Sequence, residues 1–275
     1  MQLLKYLQAQ GFGSRKQCQT LIDHERVTIN GCLKTQAKED IDGMHVHSLM
    51  IDDQPFTPVP MPYFYICLHK PADYETSHKP QQYPSVFSLF PEPMRHIDMQ
   101  AVGRLDADTT GVLIITNDGQ FNHRTTAPKH KLAKIYRVSL KHPADESFCN
   151  TLKRGVLLHD DHETVQAAEA ELSDAHTLML TITTGKYHQV KRMVAAAGNR
   201  VEALHRTQFG SWSAEDMAPG EWRFFSPMQP QTIRHSVMNP AAKQIDFSLD
   251  IYVVHNQFNL RLTHPIDSII NYPPY

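Results

Sequence analysis

A proline at every second position interrupts the chain between Thr57 and Pro62, where the sequence reads Thr-Pro-Val-Pro-Met-Pro. Proline fixes its own φ angle and disfavours helix at the residue before it, so this stretch is extended and stiff. The sequence therefore predicts a small first module over residues 1–57, a linker over 58–62 and a larger domain over 63–238. Residues 239–275 remain as a C-terminal extension without an assigned role, in which 245–254 is a predicted strand.

The first module is predicted to contain two short helices and a hairpin. Apolar residues recur with helical spacing over Gln2–Ala9 and the pattern ends at Gly11. Ser14 is a suitable cap for a second helix that reaches about His24. The stretch Arg26–Gly31 then predicts a strand and a tight turn, because Asn-Gly is a strong hairpin signal.

Two cations, Arg15 and Lys16, fall in the first turn of the second predicted helix. Positive charge at this end opposes the helix dipole and is unfavourable for stability. A phosphate ligand would compensate, because the helix amides and both cations would then face one anion. Simple exposure to solvent is the alternative interpretation.

The second domain is rich in short apolar stretches. Strands are predicted over residues 63–68, 112–116, 135–140, 165–172 and 178–183, and a helix over 186–197. Many strands with few helices, not in βαβ alternation, indicate an α+β domain built on a largely antiparallel sheet.

The charged residues are segregated along the chain. The totals, 27 Lys+Arg against 29 Asp+Glu, give a formal charge of −2, which by itself argues against a nucleic-acid partner. However, the segments 1–38, 122–137 and 181–210 are basic and are separated by acidic ones. A polyanion responds to local potential, so a nucleic acid remains a candidate partner beside the alternative of solvated faces of opposite sign.

The four cysteines form no C-x-x-C pair, which argues against a structural zinc site and a disulfide framework. No apolar run approaches the ~20 residues needed to cross a bilayer, and residues 1–10 are too polar for a signal peptide. These patterns predict a cytoplasmic protein without a membrane partner.

The segment Val102–Gly111 is the densest polar cluster of the second domain and leads directly into an apolar strand. Asp106 and Asp108, two positions apart, permit three interpretations. They could form a magnesium site, or one could be a catalytic carboxylate held ionised by Arg104. The third interpretation is a loop in which these side chains cap local backbone amides.

A second polar cluster, Thr184–Met193, lies where a predicted strand ends and a predicted helix begins. It offers Lys, Tyr, His, Gln, Lys and Arg within seven residues. On a helix Tyr187 would share a face with Lys191, and His188 with Arg192. Such a face suits contacts to phosphates and bases.

Three motifs resemble, in order, those of the RsuA family of ribosomal RNA pseudouridine synthases. They are Gly103–Gly111 with Thr116–Gly119, Lys134–Val138, and Gly185–Met193 with Gly198-Asn199 and Leu204-His-Arg206. The first module resembles an S4 RNA-binding domain in Gly13–Lys16 and Arg26–Gly31. The likeness covers about residues 1–230 and is closest to the small-subunit enzymes. Two departures are His69–Asp73, where the family has Asn-Lys-Pro-x-Gly, and the segment after about Asn239, which has no counterpart.

The resemblance implies an α+β fold, with a small S4 (α-L) domain followed by a synthase domain on a largely antiparallel mixed sheet. It also implies isomerisation of uridine in ribosomal RNA, most closely the small-subunit RNA, by a monomer that needs neither a cofactor nor a metal. The expected partner is ribosomal RNA or a pre-ribosomal particle. The alternatives are a large-subunit enzyme of this family, a non-catalytic S4-type RNA-binding protein, and a metal-dependent glycosyl transferase.

The resemblance further assigns roles to individual residues. Asp106 is implied as the essential carboxylate with Lys191 as its basic partner, while Asp108 is structural and Arg104 braces the loop or the flipped-out site. Tyr136 would stack on the uracil and Leu204 would form an apolar wall. The residues expected to bind RNA are Arg15, Lys16, Arg26, Arg124, Lys134, Lys186, His188, Gln189 and Arg192.

Overall fold

The computed structural model describes residues 1–158 and 162–226 of the 275-residue chain. The end of the predicted second domain, the extension over residues 239–275 and the strand predicted at 245–254 lie outside the described residues.

The first module contains two helices and a four-stranded antiparallel sheet with strand order β2-β1-β3-β4. The elements are α1 (Leu3–Ala9), α2 (Arg15–Asp23), β1 (Val27–Ile29), β2 (Cys32–Leu33), β3 (Leu49–Ile51) and β4 (Gln54–Phe56). Asn30 and Gly31, which join β1 to β2, have φ angles of 50° and 76°. This left-handed pair is typical of a two-residue hairpin turn and confirms the predicted hairpin.

The cap predicted for α2 is also confirmed. The Ser14 hydroxyl accepts from the Gln17 amide at 3.4 Å, and the Gln17 side chain accepts from the Ser14 amide at 2.8 Å. This capping box already satisfies helix amides without a ligand. A phosphate at this end would therefore be bound mainly by the exposed side chains of Arg15 and Lys16.

The proline-rich linker is packed against the first module. The side chain of the buried Gln10 donates to the Val59 carbonyl at 2.9 Å and accepts from the Val59 amide at 2.7 Å. One hydrophobic cluster contains buried residues from Leu3 to Ile51, and a second begins with Val59. The linker thus contributes Val59 to the second cluster, and the hydrogen bonds of Gln10 connect this residue to the first module.

The second part of the chain is built on a nine-stranded sheet. In chain order, the strands and helices of this part are β5 (Tyr65–Lys70), β6 (Gln100–Val102), β7 (Thr110–Thr116), α3 (Gly119–Thr126), β8 (Lys134–Leu140), α4 (Glu146–Arg154), β9 (Val156–Leu158), β10 (Glu163–Val165), β11 (Glu169–Asp174), β12 (Thr177–Ile182), α5 (Gln189–Ala196), β13 (Val201–Phe209), β14 (Trp212–Ser213) and β15 (Trp222–Phe224). Strands β9 and β10 form a separate small hairpin, and the other nine strands form the sheet. The strand order is β11-β12-β8-β13-β7-β5-β15, with β14 paired to β13 and β6 to β7.

Within the described residues only β13 and β7 pair in parallel, so the predicted α+β class with a largely antiparallel mixed sheet is confirmed. At this crossing Arg206 lies beside Gly111, whose φ is +105°. A Cβ atom at position 111 would lie 2.1 Å from the Arg206 carbonyl oxygen. Glycine is therefore required where β7 begins, immediately after the polar loop.

Two predicted elements differ from the structure by more than one or two residues at an end. The strand predicted over residues 165–172 is two strands, because the Ala167 amide turns away to bond the Leu152 carbonyl at 2.9 Å. The helix predicted from Lys186 begins at Gln189, because His188 adopts a left-handed conformation with φ 48°. The turn in front of the helix is therefore formed by Lys186, Tyr187 and His188. Helical spacing does not place Tyr187 on the same face as Lys191, or His188 on the same face as Arg192, as the sequence predicted.

Candidate active site

The polar loop of residues 103–109 joins β6 to β7 and is held from the interior by Lys70. This fully buried ammonium group donates at 2.9 Å to the carbonyls of Pro71, Ala107 and Thr109. Burial lowers the pKa of Lys70 to about 8, while Asp108 and other nearby carboxylates act in the opposite direction. Buried polar groups need such partners, so Lys70 fixes the loop backbone at two points.

Neighbouring segments hold the loop on both sides of Asp106. The Thr76 hydroxyl donates to the Leu105 carbonyl at 2.8 Å, and the Asp73 amide donates to the Ala107 carbonyl at 2.9 Å. The Leu105 side chain is buried in the main hydrophobic cluster. The backbone that carries Asp106 is therefore preorganised, which a reacting group requires.

Arg206, fully buried on β13, anchors the first residue of the loop. Its guanidinium donates at 2.9 Å to the carbonyls of Val112 and Gly103, and lies 4.8 Å from the ring centroid of Phe209. Burial lowers the pKa of Arg206, whereas a hydrogen bond with the Tyr136 side chain favours its charged form. Arg206 thus connects the loop to the tyrosine predicted to contact the base.

Two basic side chains converge on the carboxylate of Asp106, which is 30% exposed. Lys191 Nζ lies 3.2 Å from Oδ2, and His188 Nε2 lies 3.3 Å from Oδ1. Lys191 also donates to both oxygens of Asp108 at 2.7 and 2.8 Å. The ammonium group therefore bridges two carboxylates, of which Asp108 is the more exposed.

The electrostatics of the pair formed by Lys191 and Asp108 favour its ionised form. Burial alone lowers the pKa of Lys191, but the hydrogen bonds and charges of Asp108 and Asp106 raise it overall. Burial raises the pKa of Asp108, and Lys191 more than reverses this effect. Lys191 thus places a positive charge between the two carboxylates, where the magnesium interpretation would place a cation. Within residues 1–158 and 162–226, no three His, Cys, Asp or Glu side chains group closely enough to hold a metal ion.

Two residues predicted to line the pocket lie in the interior of the protein. Tyr136 on β8 and Leu204 on β13 are buried in the same hydrophobic cluster as Leu105. Arg104, in contrast, is exposed and makes no hydrogen bond or ion pair within the described part of the chain. Its side chain points to solvent because the neighbouring Leu105 occupies the interior. The loop is instead braced by Lys70, Thr76 and Arg206, and the alternative role of Arg104 at the flipped-out site stays a prediction.

The residues predicted to bind RNA fall into different environments. Gln189 is 3% exposed and bonds internally to Thr184 and to the Lys186 amide, so it shapes the turn and does not face a ligand. Lys134 is partly buried and donates to the Leu132 carbonyl at 2.9 Å. Burial, with a contribution from Arg206, lowers the pKa of Lys134 to about 8.

The remaining predicted RNA contacts lie on or near the surface. Arg15, Lys16 and Arg124 are exposed. Arg26 is paired with Asp52, and Lys186 with Glu163. Arg192 donates to the Tyr187 carbonyl at 3.2 Å.

His205, beside the start of β7, makes the stability of the site sensitive to acid. Its Nδ1 lies 2.8 Å from the Thr110 hydroxyl, and burial, with Arg137 and His69, lowers the pKa of His205 to about 4. The unfolded chain would bind this proton near pH 6.5, so stability is lost as the pH falls from about 6.5 towards 4.

The free energy of unfolding should fall between pH 7 and pH 4.5, and we expect this fall to be about 1 kcal/mol smaller in His205→Gln, because glutamine cannot be protonated. This figure is reduced because the His205 side chain is partly exposed to solvent. Urea unfolding at both pH values measures it, with the exposed His123→Gln as the matched control. Equal acid sensitivity in His205→Gln and in the unsubstituted protein would contradict this prediction.

Comparison with known proteins supports the resemblance seen in the sequence. A family model described as RNA pseudouridylate synthase matches residues 64–196, and an S4 domain model matches residues 1–47. The ribosomal small subunit pseudouridine synthase A of Pasteurella multocida (strain Pm70) is 34% identical over 227 residues, which cover 82% of this chain and 96% of the relative. The Escherichia coli (strain K12) protein of the same name is 36% identical over 224 residues, or 81% and 95% of the two chains.

A solved crystal structure described as a pseudouridylate synthase has a similar fold. It shares 33% sequence identity, has a TM-score of 0.57 and covers 82% of this chain and 96% of its own. Within the described residues, no helix is both long and apolar enough to cross a lipid bilayer.

Proposed function

Since the chain belongs to the family of RNA pseudouridylate synthases, with an S4 domain at its N-terminus, we propose that it isomerises uridine to pseudouridine in small-subunit ribosomal RNA and that Asp106 is its essential carboxylate. The observation that carries the assignment of Asp106 is the convergence of Lys191 and His188 on its side chain, at 3.2 and 3.3 Å.

The isomerisation needs one ionised carboxylate and no net exchange of atoms. The N1–C1′ bond breaks, the uracil turns, a C5–C1′ bond forms, and a proton leaves C5 while N1 gains one. Asp106 would attack C1′ or remove a proton from C2′, and both roles require the charged form. Lys191 Nζ, 3.2 Å from Oδ2, places a positive charge beside the carboxylate, and the hydrogen-bonded loop holds the carboxylate in place.

The target base must leave its stack to reach Asp106, at a cost of a few kcal/mol. We assign Tyr136 to contact the uracil ring and Leu204 to the apolar wall beside it. Stacking of a base on an aromatic side chain contributes about 1–3 kcal/mol, which offsets much of that cost. Tyr136 lies opposite Arg206 in the pairing of β8 with β13, which keeps it close to the loop that Arg206 anchors.

The two parts of the chain bind different parts of the RNA. The S4 domain, over residues 1–57 in our assignment, holds the RNA at a distance from the pocket, and the domain that begins at residue 63 holds the target nucleotide. The protein acts as a monomer on ribosomal RNA or a pre-ribosomal particle, in the cytoplasm where that RNA is assembled.

Mapping pseudouridines in ribosomal RNA from cells with and without this protein tests the function. We expect one or a few small-subunit sites to disappear, and the purified protein to restore them in a transcript. Loss of large-subunit sites would instead indicate the other branch of the family. An unchanged map in both subunits would leave a non-catalytic RNA-binding protein as the better description.

The S4 domain should contribute to affinity through Arg15 and Lys16. Each phosphate contact changes the slope of log K against log salt by about 0.7–0.9, so we expect Arg15→Gln with Lys16→Gln to reduce the slope by about 1.5. Filter binding to small-subunit RNA at several salt concentrations measures it. Lys153→Gln with Arg154→Gln, an exposed basic pair at the end of α4, is the matched control. Equal slopes for the two double variants would show that Arg15 and Lys16 do not contact phosphate.

A further inference from the structure

The side chain of Tyr187 is 73% exposed, the most of any Phe, Tyr or Trp in the described residues. It lies in the turn between β12 and α5, next to the residues that contact Asp106. Aromatic rings are usually buried or packed because they carry a large apolar surface. Tyr187 instead leaves its ring in water beside His188, which contacts the carboxylate of Asp106.

One face of the ring is already stacked. The ring centroids of Tyr187 and His188 are 3.8 Å apart and the planes are inclined by 21°. The imidazole covers one side of the phenol ring, while most of the rest of the side chain remains accessible. The pair thus presents a flat aromatic surface of the kind on which nucleic-acid bases stack.

The turn that carries this surface is held in place by several hydrogen bonds. The buried Gln189 side chain accepts from the Lys186 amide at 2.9 Å and donates to the Thr184 hydroxyl at 2.7 Å. Arg192 donates to the Tyr187 carbonyl at 3.2 Å. A surface held in this way loses little conformational entropy when a ligand binds, so its stacking energy is available for affinity.

The surface is also close to the reacting carboxylate. His188 stacks on Tyr187 and at the same time places Nε2 3.3 Å from Asp106 Oδ1. Only the width of one imidazole therefore separates the tyrosine ring from the catalytic loop.

We propose that Tyr187 is a stacking platform for the nucleobase adjacent to the target uridine, an inference that rests on the proposed function. When the uridine turns out of its stack, the adjacent base loses a neighbour. The free face of Tyr187 replaces that neighbour, while His188 supports the opposite face of the tyrosine. Tyr187 thereby sets the position of the strand relative to Asp106.

The test combines two protein variants with altered RNA. Tyr187→Phe keeps the aromatic ring, whereas Tyr187→Leu keeps apolar bulk without it. The RNA is a synthetic strand centred on the uridine mapped in small-subunit RNA, either intact or with an abasic nucleotide on the 5′ or the 3′ side. Equilibrium Kd is measured for every pair, and KM and kcat for the intact strand. Tyr63→Leu, at a second exposed tyrosine, is the matched control.

We expect Tyr187→Leu to raise Kd and KM for the intact strand about tenfold with little change in kcat, and Tyr187→Phe to match the unsubstituted protein. With one of the two abasic strands, the unsubstituted protein and Tyr187→Leu should bind equally. An unchanged Kd in Tyr187→Leu, or a penalty that persists with both abasic strands, would overturn the proposal. Thermal unfolding of each variant shows whether the fold is retained.

The binding comparison also separates this proposal from the proposed function, because Kd requires no turnover. If no transcript contained pseudouridine after incubation, the proposed function would fail. The same comparison on a ten-nucleotide single strand with a central uridine, intact or with abasic neighbours, would still decide whether Tyr187 stacks on a base.

Discussion

Asp106→Asn is expected to lower the rate of pseudouridine formation by about four orders of magnitude or more, with Kd for RNA changed less than about threefold. The amide of asparagine has nearly the shape of the carboxylate, but it can neither attack C1′ nor accept a proton from C2′. The measurement is single-turnover pseudouridine formation on saturating RNA, together with Kd for the same RNA.

Asp108→Asn is the matched control for this prediction, because it makes the same chemical change two residues away. Asp108 is 68% exposed and shares Lys191 with Asp106. Its loss weakens the positioning of Lys191, so we expect a decrease of about tenfold, far smaller than for Asp106→Asn. Comparable activity in the two variants, or substantial turnover by Asp106→Asn, would remove Asp106 from its assigned role.

Gly111→Ala is expected to destabilise the fold by about 3 kcal/mol or more, because a Cβ atom there would lie 2.1 Å from the Arg206 carbonyl oxygen. That contact lies at the parallel pairing of β13 with β7, so relief of the clash would separate the two strands. The loop that carries Asp106 ends at this point, and activity should be lost together with stability. Urea unfolding and the single-turnover rate measure the two effects.

The control is Gly198→Ala, at the end of α5. Gly198 also has a positive φ, +90°, but a Cβ atom there would meet no atom within 4 Å. The backbone penalty alone is about 1–2 kcal/mol, so the excess cost in Gly111→Ala isolates the contact between the strands. Equal destabilisation by the two substitutions would mean that the β7–β13 crossing tolerates a side chain.

Several features of the fold could be predicted because they depend on neighbouring residues in the sequence. The Ser14 cap, the Asn30-Gly31 turn and strands β5, β7, β8 and β12 follow from local patterns of apolar, polar and turn-forming residues, whereas the central strand β13 was not predicted. The start of α5 could not be predicted in this way, since the left-handed conformation of His188 is stabilised by contacts outside the helix. The break in the predicted strand after Val165 has a similar cause, because the Ala167 amide donates to the carbonyl of Leu152 in α4.

The candidate site could likewise be predicted only in part from local patterns. The motifs pointed to Asp106, Tyr136 and Lys191, and the structure brings Asp106 and Lys191 into contact. Lys70 and Arg206 were given no role in the site, although Arg206 stands in the third motif, because a lysine at a strand end and an arginine within a strand have no local pattern that marks them as buried. The strongest available signal was the Lys-Pro pair that directly follows an apolar strand.

The sequence by itself determined the α+β class, the order of the motifs and the chemical groups available to the site, because these depend on residue type and short-range spacing. Only the tertiary structure decided which charged groups meet. Arg206 contacts a carbonyl 103 residues away, Lys191 a carboxylate 83 residues away and Lys70 a carbonyl 39 residues away. Such pairs depend on the order in which β13, β7 and β5 lie in the sheet. That order is set by the packing of the whole core, which no short stretch of sequence encodes.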